Sequence, residues 1–486
     1  MHIAFAASEC TPFAKTGGLA DVVGSLPRAL SALGHQVTVY LPRYRQTKVT
    51  DASIVIPSIT IPFDDEYRFC SVVNGGNQGG VRYFFVDYTP YFDRESLYGT
   101  SAGDYADNAE RFALFSRAVI EATKIIGVPH VFHCHDWQTS LIPVMLRSLY
   151  AEDPAFRQTA SVLSIHNVGY QGIFPADVLA LLQIPWDLFT VAGLEFFGQA
   201  NLLKGGIVYA DHVTTVSRKY AQEIQTTEYG FGLEGVLRAR ASTVTGILNG
   251  VDYDEWNPQT DRNTVARYSP DNLTGKAKCK QDLLSTFGLT PTNPRLPVLG
   301  IVSRFAGQKG FDLIAPIADR LAREDVILVV LGTGERRYEE MFERLARQFP
   351  SRIAVKIAYD NALAHKIEAG SDMFLMPSRY EPCGMNQIYS LKYGTVPIVR
   401  ATGGLDDTID SWDARTSKGT GFKFTEYSSE ALLLTIKNAL AAFREQASWQ
   451  ILMRNGMAKD FSWNVSAKEY VRIYERVKQI RSASAA

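Results

Sequence analysis

The chain has 486 residues, which at about 100–200 residues per domain means two or three domains. Lys and Arg number 50 and Asp and Glu 51, a formal charge of −1. So near-neutral a balance argues against a protein whose affinity comes from nucleic-acid phosphates or an anionic membrane. Hydrophobic residues at 46% and charged residues at 21% exclude a disordered chain and supply two sizeable cores.

The first forty residues read strand, loop, helix, strand. Ile3 to Ala7 is a short buried strand and Glu9 to Thr16 a loop. From Gly17 a helical stripe follows through Leu19, Val22, Val23, Leu26, Leu30 and Leu33, ended by Gly34, and Gln36 to Leu41 is the next strand. This is a βαβ unit, which implies a parallel sheet. Apolar strands recur at 82–86, 131–134, 161–165 and 213–216. A stretch rich in Asn, Asp and Pro, Asn249 to Asp271, reads as a linker.

Beyond it, strands at 297–303, 326–331, 353–358, 373–377 and 396–399 alternate with helices at 311–322, 335–348, 363–369 and 387–393. The expected architecture is α/β: two Rossmann-like doubly wound domains facing each other across a cleft, with ligands outside the carboxyl ends of the strands. We place the domains at 1–255 and 272–464. The longest apolar runs, such as Val326 to Leu331, fall far short of the ~18 residues of a membrane span. The strand directly behind Met1 leaves no room for an export signal. Five cysteines lack C-x-x-C spacing and suit a reducing cytoplasm.

Five stretches could carry chemistry. Lys15-Thr-Gly-Gly18 stands at the mouth of a helix, where glycines admit a ligand to the backbone and the helix N-terminus attracts an anion; a flexible helix-start loop is an equal reading. Ser303-Arg304-Phe-Ala-Gly-Gln-Lys309-Gly310 puts two cations on one strand-to-helix loop, suited to a diphosphate. In Pro377-Ser-Arg-Tyr-Glu381-Pro-Cys383-Gly384 a carboxylate for sugar hydroxyls precedes a turn whose amides at 383 to 385 could face a phosphate. Cys383 has no neighbouring base and reads as a packed thiol. His133-Cys134-His135-Asp136-Trp137 ends a strand; no second His/Cys cluster completes a metal set. It reads as a polar cleft wall with Trp137 offering a face to a sugar, and Ser164-Ile-His166-Asn167 could add an imidazole. Asp252-Tyr-Asp254 mimics a metal-binding D-x-D but reads as structural, and Tyr229-Gly-Phe-Gly232 carries no chemistry we can derive. Thr16-Gly-Gly-Leu-Ala-Asp21 is echoed by Thr402-Gly-Gly-Leu-Asp-Asp407.

Together these motifs resemble the bacterial and plant type of glycogen and starch synthase. The matching pieces, in family order, are Lys15-Thr-Gly-Gly-Leu-Ala-Asp-Val-Val-Gly24, His135-Asp-Trp-Gln138, His166-Asn-Val-Gly-Tyr-Gln-Gly172, Leu248-Asn-Gly-Val-Asp252, Ser303-Arg304 with Gln308-Lys-Gly310, Ser378-Arg-Tyr-Glu-Pro-Cys-Gly384 and Thr402-Gly-Gly-Leu405. The resemblance implies a two-Rossmann glycosyltransferase fold and transfer of glucose, with retention, from a nucleotide sugar to the non-reducing end of an α-1,4-glucan. It implies diphosphate ligands at Arg304 and Lys309 and an N-domain phosphate loop at Lys15 and Gly18. Contacts to the transferred glucose fall at His166, Asn249 and Glu381, acceptor positions at Asp136 and Trp137, and an aromatic against the base at Tyr359. Asp21, Asn167, Cys383, Gly384, Thr402 and Gly403 complete the expected substrate-binding set.

Position 389, a glutamate in many related retaining families, is Tyr389. That tilts the donor towards ADP-glucose over UDP-glucose. No metal or other cofactor is expected, nor any nucleic-acid or membrane partner. The resemblance also implies that a C-terminal helix at 465–480 crosses back onto the N-domain and that domain closure brings Lys15 to the donor. A catalytically silent glucan-binding protein is the alternative of a different class.

Overall fold

The computed structural model describes residues 1–49, 52–100, 103–290, 293 and 295–485. The chain divides into one unit of Met1–Val216, Ala221–Gly250 and Trp463–Ala486, and another of Ser217–Tyr220 and Val251–Ser462.

In the first unit, β1 (His2–Ala6), α1 (Gly18–Ala32) and β2 (Gln36–Pro42) form a βαβ unit, with Ile3 opposite Val37 and Phe5 opposite Val39. The buried face of α1 is Leu19, Val22, Val23, Leu26 and Leu30, spaced as a 3.6-residue period requires. Next come β3 (Ser53–Phe63) and β4 (Glu66–Gln78), an antiparallel pair absent from the sequence reading, and β5 (Val81–Asp87). Two prolines in β3, Pro57 and Pro62, disguised it; an edge strand tolerates proline because one side of its backbone donates to no neighbour. Then follow α2 (Asn108–Ile126), β6 (Val131–His135), β7 (Ala160–Ile165), α3 (Leu202–Tyr209), β8 (His212–Thr215) and β9 (Val244–Gly246). Among the described residues the sheet runs β9-β8-β7-β6-β1-β2-β5-β4-β3, parallel except around β4.

The second unit holds α4 (Thr274–Thr286), β10 (Val298–Val302), β11 (Ile327–Gly332), α5 (Arg336–Gln348), β12 (Ile353–Ile357), α6 (Asn361–Gly370) and β13 (Met373–Met376). It continues with α7 (Asn386–Lys392), β14 (Val396–Arg400), α8 (Gly403–Thr408), β15 (Phe422–Phe424), α9 (Ser429–Arg444) and α10 (Gln446–Met457). Its sheet, ordered β12-β11-β10-β13-β14-β15, is parallel throughout.

Two expectations need correction. The helix read over 311–322 is two 3₁₀ turns, Phe311–Leu313 and Ala315–Ile317, before a short α-helix, Ala318–Arg323. Pro316 has no N–H for the carbonyl four residues back, which breaks the α-helical ladder there. The stretch read as a linker is packed into the second unit. Trp256 is stacked between His365 (3.7 Å) and Tyr389 (4.0 Å), and Asp261 accepts from the Tyr393 hydroxyl at 2.6 Å and lies 2.8 Å from His365 Nδ1. Polar composition suggested solvent, but these groups meet partners brought from over a hundred residues away.

The chain ends in α11 (Trp463–Ala485), which belongs to the first unit. It buries Trp463, Tyr470, Tyr474 and Val477 in that unit's core, and its Arg481 Nε donates to Asp211 at 2.6 Å. No helix among the described residues is long and apolar enough to cross a membrane.

Candidate active site

In the first unit the predicted residues gather at the carboxyl ends of three adjacent strands. After β1, Glu9 is buried and accepts four hydrogen bonds: from Thr16 N (2.5 Å), Thr16 Oγ1 (2.6 Å), Gly17 N (3.1 Å) and the Tyr98 hydroxyl (2.6 Å). The motif reading missed Glu9, because nothing local marks a loop carboxylate as the anchor of a loop seven residues on. This carboxylate fixes the backbone of Lys15-Thr-Gly-Gly18 at the start of α1. Lys15 Nζ bonds to Asp21 Oδ1 at 2.6 Å, a half-exposed pair.

After β6, Asp136 has a left-handed backbone (φ 54°) and accepts from the His166 N–H at 2.7 Å, so the segment after β7 is tied to the segment after β6. Burial pushes the Asp136 carboxyl up to about 7, the Glu9 charge adds to the rise, and the His166 and Asn167 backbone N–H groups oppose it. Burial also pulls the His166 imidazole down to about 3 and those of His133 and His135 well below their ordinary value. All three are neutral at pH 7.

His135 Nδ1 and His166 Nε2 are 3.0 Å apart, and His135 Nε2 is buried without a partner among the described residues. An orphaned N–H costs more than an orphaned lone pair. This favours His135 donating from Nδ1, with the His166 proton on Nδ1 as a donor for a ligand. Behind them His133 bridges Ser164 Oγ (2.7 Å) and the α11 Tyr474 hydroxyl (2.8 Å). Asn167 Oδ1 caps the following turn at Gly169 N (3.0 Å). Asn249 is buried, and its Oδ1 has no partner among the described residues.

Trp137, expected to offer its face to a sugar, is 8% exposed. It is buried against Phe112 (5.2 Å, edge-on) and Phe174 (5.6 Å), with Gly172 so close that a Cβ there would lie 2.5 Å from the indole. Its ring faces the core, because the chain turns into a helix at Asp136 instead of running on as strand.

The second unit stitches three loops at the carboxyl ends of β10, β13 and β14. Gly310 (φ 73°) lies so near Pro377 O that a Cβ would stand 1.9 Å from it. Gly403 (φ 45°) stands in the same relation to Glu381 O, and Gly404 N donates to that carbonyl at 3.1 Å. Only glycine suits such positions. Arg379 N donates to Gln308 O (2.8 Å) and Gln308 Nε2 to Tyr380 O (3.1 Å). The result brings Lys309 Nζ within 2.6 Å of Glu381 Oε2, with Ser378 Oγ donating to the same oxygen at 3.0 Å.

Arg304 is exposed on the same loop as Lys309. Cys383 and Thr402 are buried, Thr402 as the N-cap residue of α8. Gly384 (φ 69°) turns the chain into α7 under the Gln387 amide. Tyr359 stands 79% exposed beyond β12. The two Thr-Gly-Gly echoes both open helices: one is anchored by the Glu9 side chain, the other by the Glu381 backbone. Asp252 Oδ1 only closes a turn onto Asp254 N (2.8 Å), a structural role.

Comparison with known proteins agrees along the whole chain. Residues 2–239 match the starch synthase catalytic domain and residues 290–450 the glycosyl transferases group 1 domain. The chain is 68% identical over 482 residues to a glycogen synthase of Koribacter versatilis, covering 99% of both, and 46% identical to one of Anaeromyxobacter sp., covering 98% of this chain and 99% of that one. The catalytic domain of starch synthase IV from Arabidopsis thaliana, solved bound to ADP and acarbose, superposes with a TM-score of 0.90 at 33% identity, over 98% of this chain and 99% of that one. Sucrose-phosphate synthase from Thermosynechococcus elongatus shares the fold alone, with a TM-score of 0.60 at 16% identity over 98% of each chain.

Proposed function

Because this chain belongs to the glycogen and starch synthase family of glycosyltransferases, we propose that it transfers glucose, with retention, from ADP-glucose to the non-reducing end of an α-1,4-glucan. The observation that carries the reading is the convergence of Lys309, Glu381 and the Gly403 turn on stitched loops at the strand ends of the second unit. We assign the nucleoside diphosphate to that unit, with Arg304 and Lys309 neutralising charge as the phosphate leaves. Glu381 accepts hydrogen bonds from glucose hydroxyls. In the first unit, Asp136 and the His166 Nδ1–H supply an acceptor and a donor to sugar hydroxyls. The bond from the anomeric carbon to the phosphate oxygen breaks, the bond to the acceptor 4-oxygen forms, and the hydroxyl proton passes to the departing phosphate.

Support for the adenine donor comes from Tyr389, whose ring is stacked on Trp256 where related families carry a second glutamate, and from the ADP bound to the Arabidopsis relative. Five free, buried cysteines support a cytoplasmic setting. The test is transfer of labelled glucose to glycogen from ADP-glucose and UDP-glucose in parallel, with and without a chelator. Faster transfer from ADP-glucose, insensitive to the chelator, is expected. Preference for UDP-glucose overturns the donor assignment, and loss of activity with chelator overturns charge neutralisation by the protein's cations alone.

A further inference from the structure

The Tyr229-Gly-Phe-Gly232 loop has no part in the chemistry above, yet its backbone is unusual. Phe231 has φ 52° and Phe197 φ 49°, each followed by a left-handed glycine, Gly232 and Gly198. Bulky residues adopt this region only under constraint. Both rings nevertheless face water: Phe197 is 86% exposed and Phe231 44%, and the Tyr170 ring is 54% exposed. Constrained backbone holding aromatic faces outward is the opposite of what core packing selects.

The segments that carry these rings are tied to one another and to the candidate site. Phe197 meets Phe196 edge-on at 4.8 Å, and a Cβ on Gly232 would stand 2.8 Å from Phe196 and 3.8 Å from Phe197. The buried Gln171 amide donates to Phe231 O (3.0 Å) and Val168 O (3.1 Å) and accepts from Asn201 Nδ2 (2.6 Å). It thereby pins the Phe231 loop to the segment carrying His166 and Asn167. Tyr170 N donates to Asn167 O at 3.1 Å, one turn from that residue.

We propose that Tyr170, Phe197 and Phe231 form a rail for the acceptor α-glucan beyond its reacting end. The inference rests on the glucan reading above. A polymer acceptor leaves sugar units outside the reaction centre, and their C–H faces pack on rigid aromatic faces at little entropic cost. The surface is continuous with Asn167 through one turn and one amide, which favours the acceptor over an unrelated protein partner.

The experiment compares the intact wild-type chain with F197A/F231A, both by retardation in native gels containing glycogen and by initial rates with glycogen and with maltose. The expected result is at least fivefold weaker retardation and a glycogen KM raised at least fivefold more than the maltose KM. Unchanged retardation, or equal effects on both acceptors, overturns the rail. So does a wild-type dimer, seen by sedimentation, that the variant loses while glycogen retardation persists. Retardation that depends on Phe197 and Phe231 in a wild-type chain inactive with every donor leaves the rail standing and removes the transferase reading instead.

Discussion

Replacing Lys309 by Ala separates two roles that the structure gives one ammonium group. Its Nζ lies 2.6 Å from Glu381 Oε2, on a side chain 20% exposed against 7% for the carboxylate. One consequence is structural: the carboxylate keeps Ser378 Oγ but loses its cation. Breaking a fully buried pair costs about 3–5 kcal/mol. The partly wetted lysine brings that to about 2 kcal/mol here. The other consequence is catalytic. A charge-assisted hydrogen bond to phosphate contributes about 1.5–3 kcal/mol, or roughly 10- to 150-fold in kcat/KM for the nucleotide sugar. Transfer of labelled glucose to glycogen measures the second, and thermal unfolding the first. The double variant K309A/E381Q distinguishes them, because neutralising the carboxylate removes the structural penalty and leaves the phosphate without its cation. Stability should recover, while activity falls at least tenfold below that of E381Q alone. Should K309A stay within threefold of wild type, or the double variant match E381Q, Lys309 does not bear on the diphosphate.

Glu9 offers a contrast between two substitutions. Glu9→Ala strands the Thr16 and Gly17 N–H groups and should cost about 3 kcal/mol in urea unfolding, with kcat/KM down at least tenfold as the Lys15 loop loosens. Glu9→Gln should retain most of both, because the Thr16 and Tyr98 hydroxyls can turn to accept from the new amide; equal damage from the two variants refutes the loop-anchor role. Glu368 tests the buried polar core of the second unit. Burial raises its carboxyl from 4.5 to about 8, while the Ser390 hydroxyl and the Lys276 charge pull the other way. With a folded pKa above the unfolded one, its contribution to stability falls as pH rises from 4.5 to 8, by up to about 1.4 kcal/mol per pH unit. Glu368→Gln should flatten that slope in unfolding titrations; an unaltered slope assigns the pH dependence elsewhere.

The chain's own residues made the parallel α/β architecture legible. Buried parallel strands read as short apolar runs, and the amphipathic stripe of α1 follows a period that needs no knowledge of neighbours. The loops bearing Lys15, Arg304, Lys309 and Glu381 were legible for the same reason: they follow recognisable strands and carry glycine and charge. The β3–β4 hairpin was not, since its pattern is that of an edge with one wet face. Nor was the packing of Trp256 and Asp261, whose partners His365, Tyr389 and Tyr393 lie more than a hundred positions downstream.

Sequence by itself thus determined the buried parallel strands and which loops hold cations, carboxylates and glycines, because those depend on local periodicity and side-chain chemistry. Tertiary structure alone decided which way those groups face and what they meet. Trp137 turns inward, Glu9 anchors a loop, His135 meets His166, and His133 is tied to Tyr474 of the last helix. Orientation and protonation depend on contacts between distant segments and on the water those contacts exclude, and neither is written in the spacing of residues along the chain.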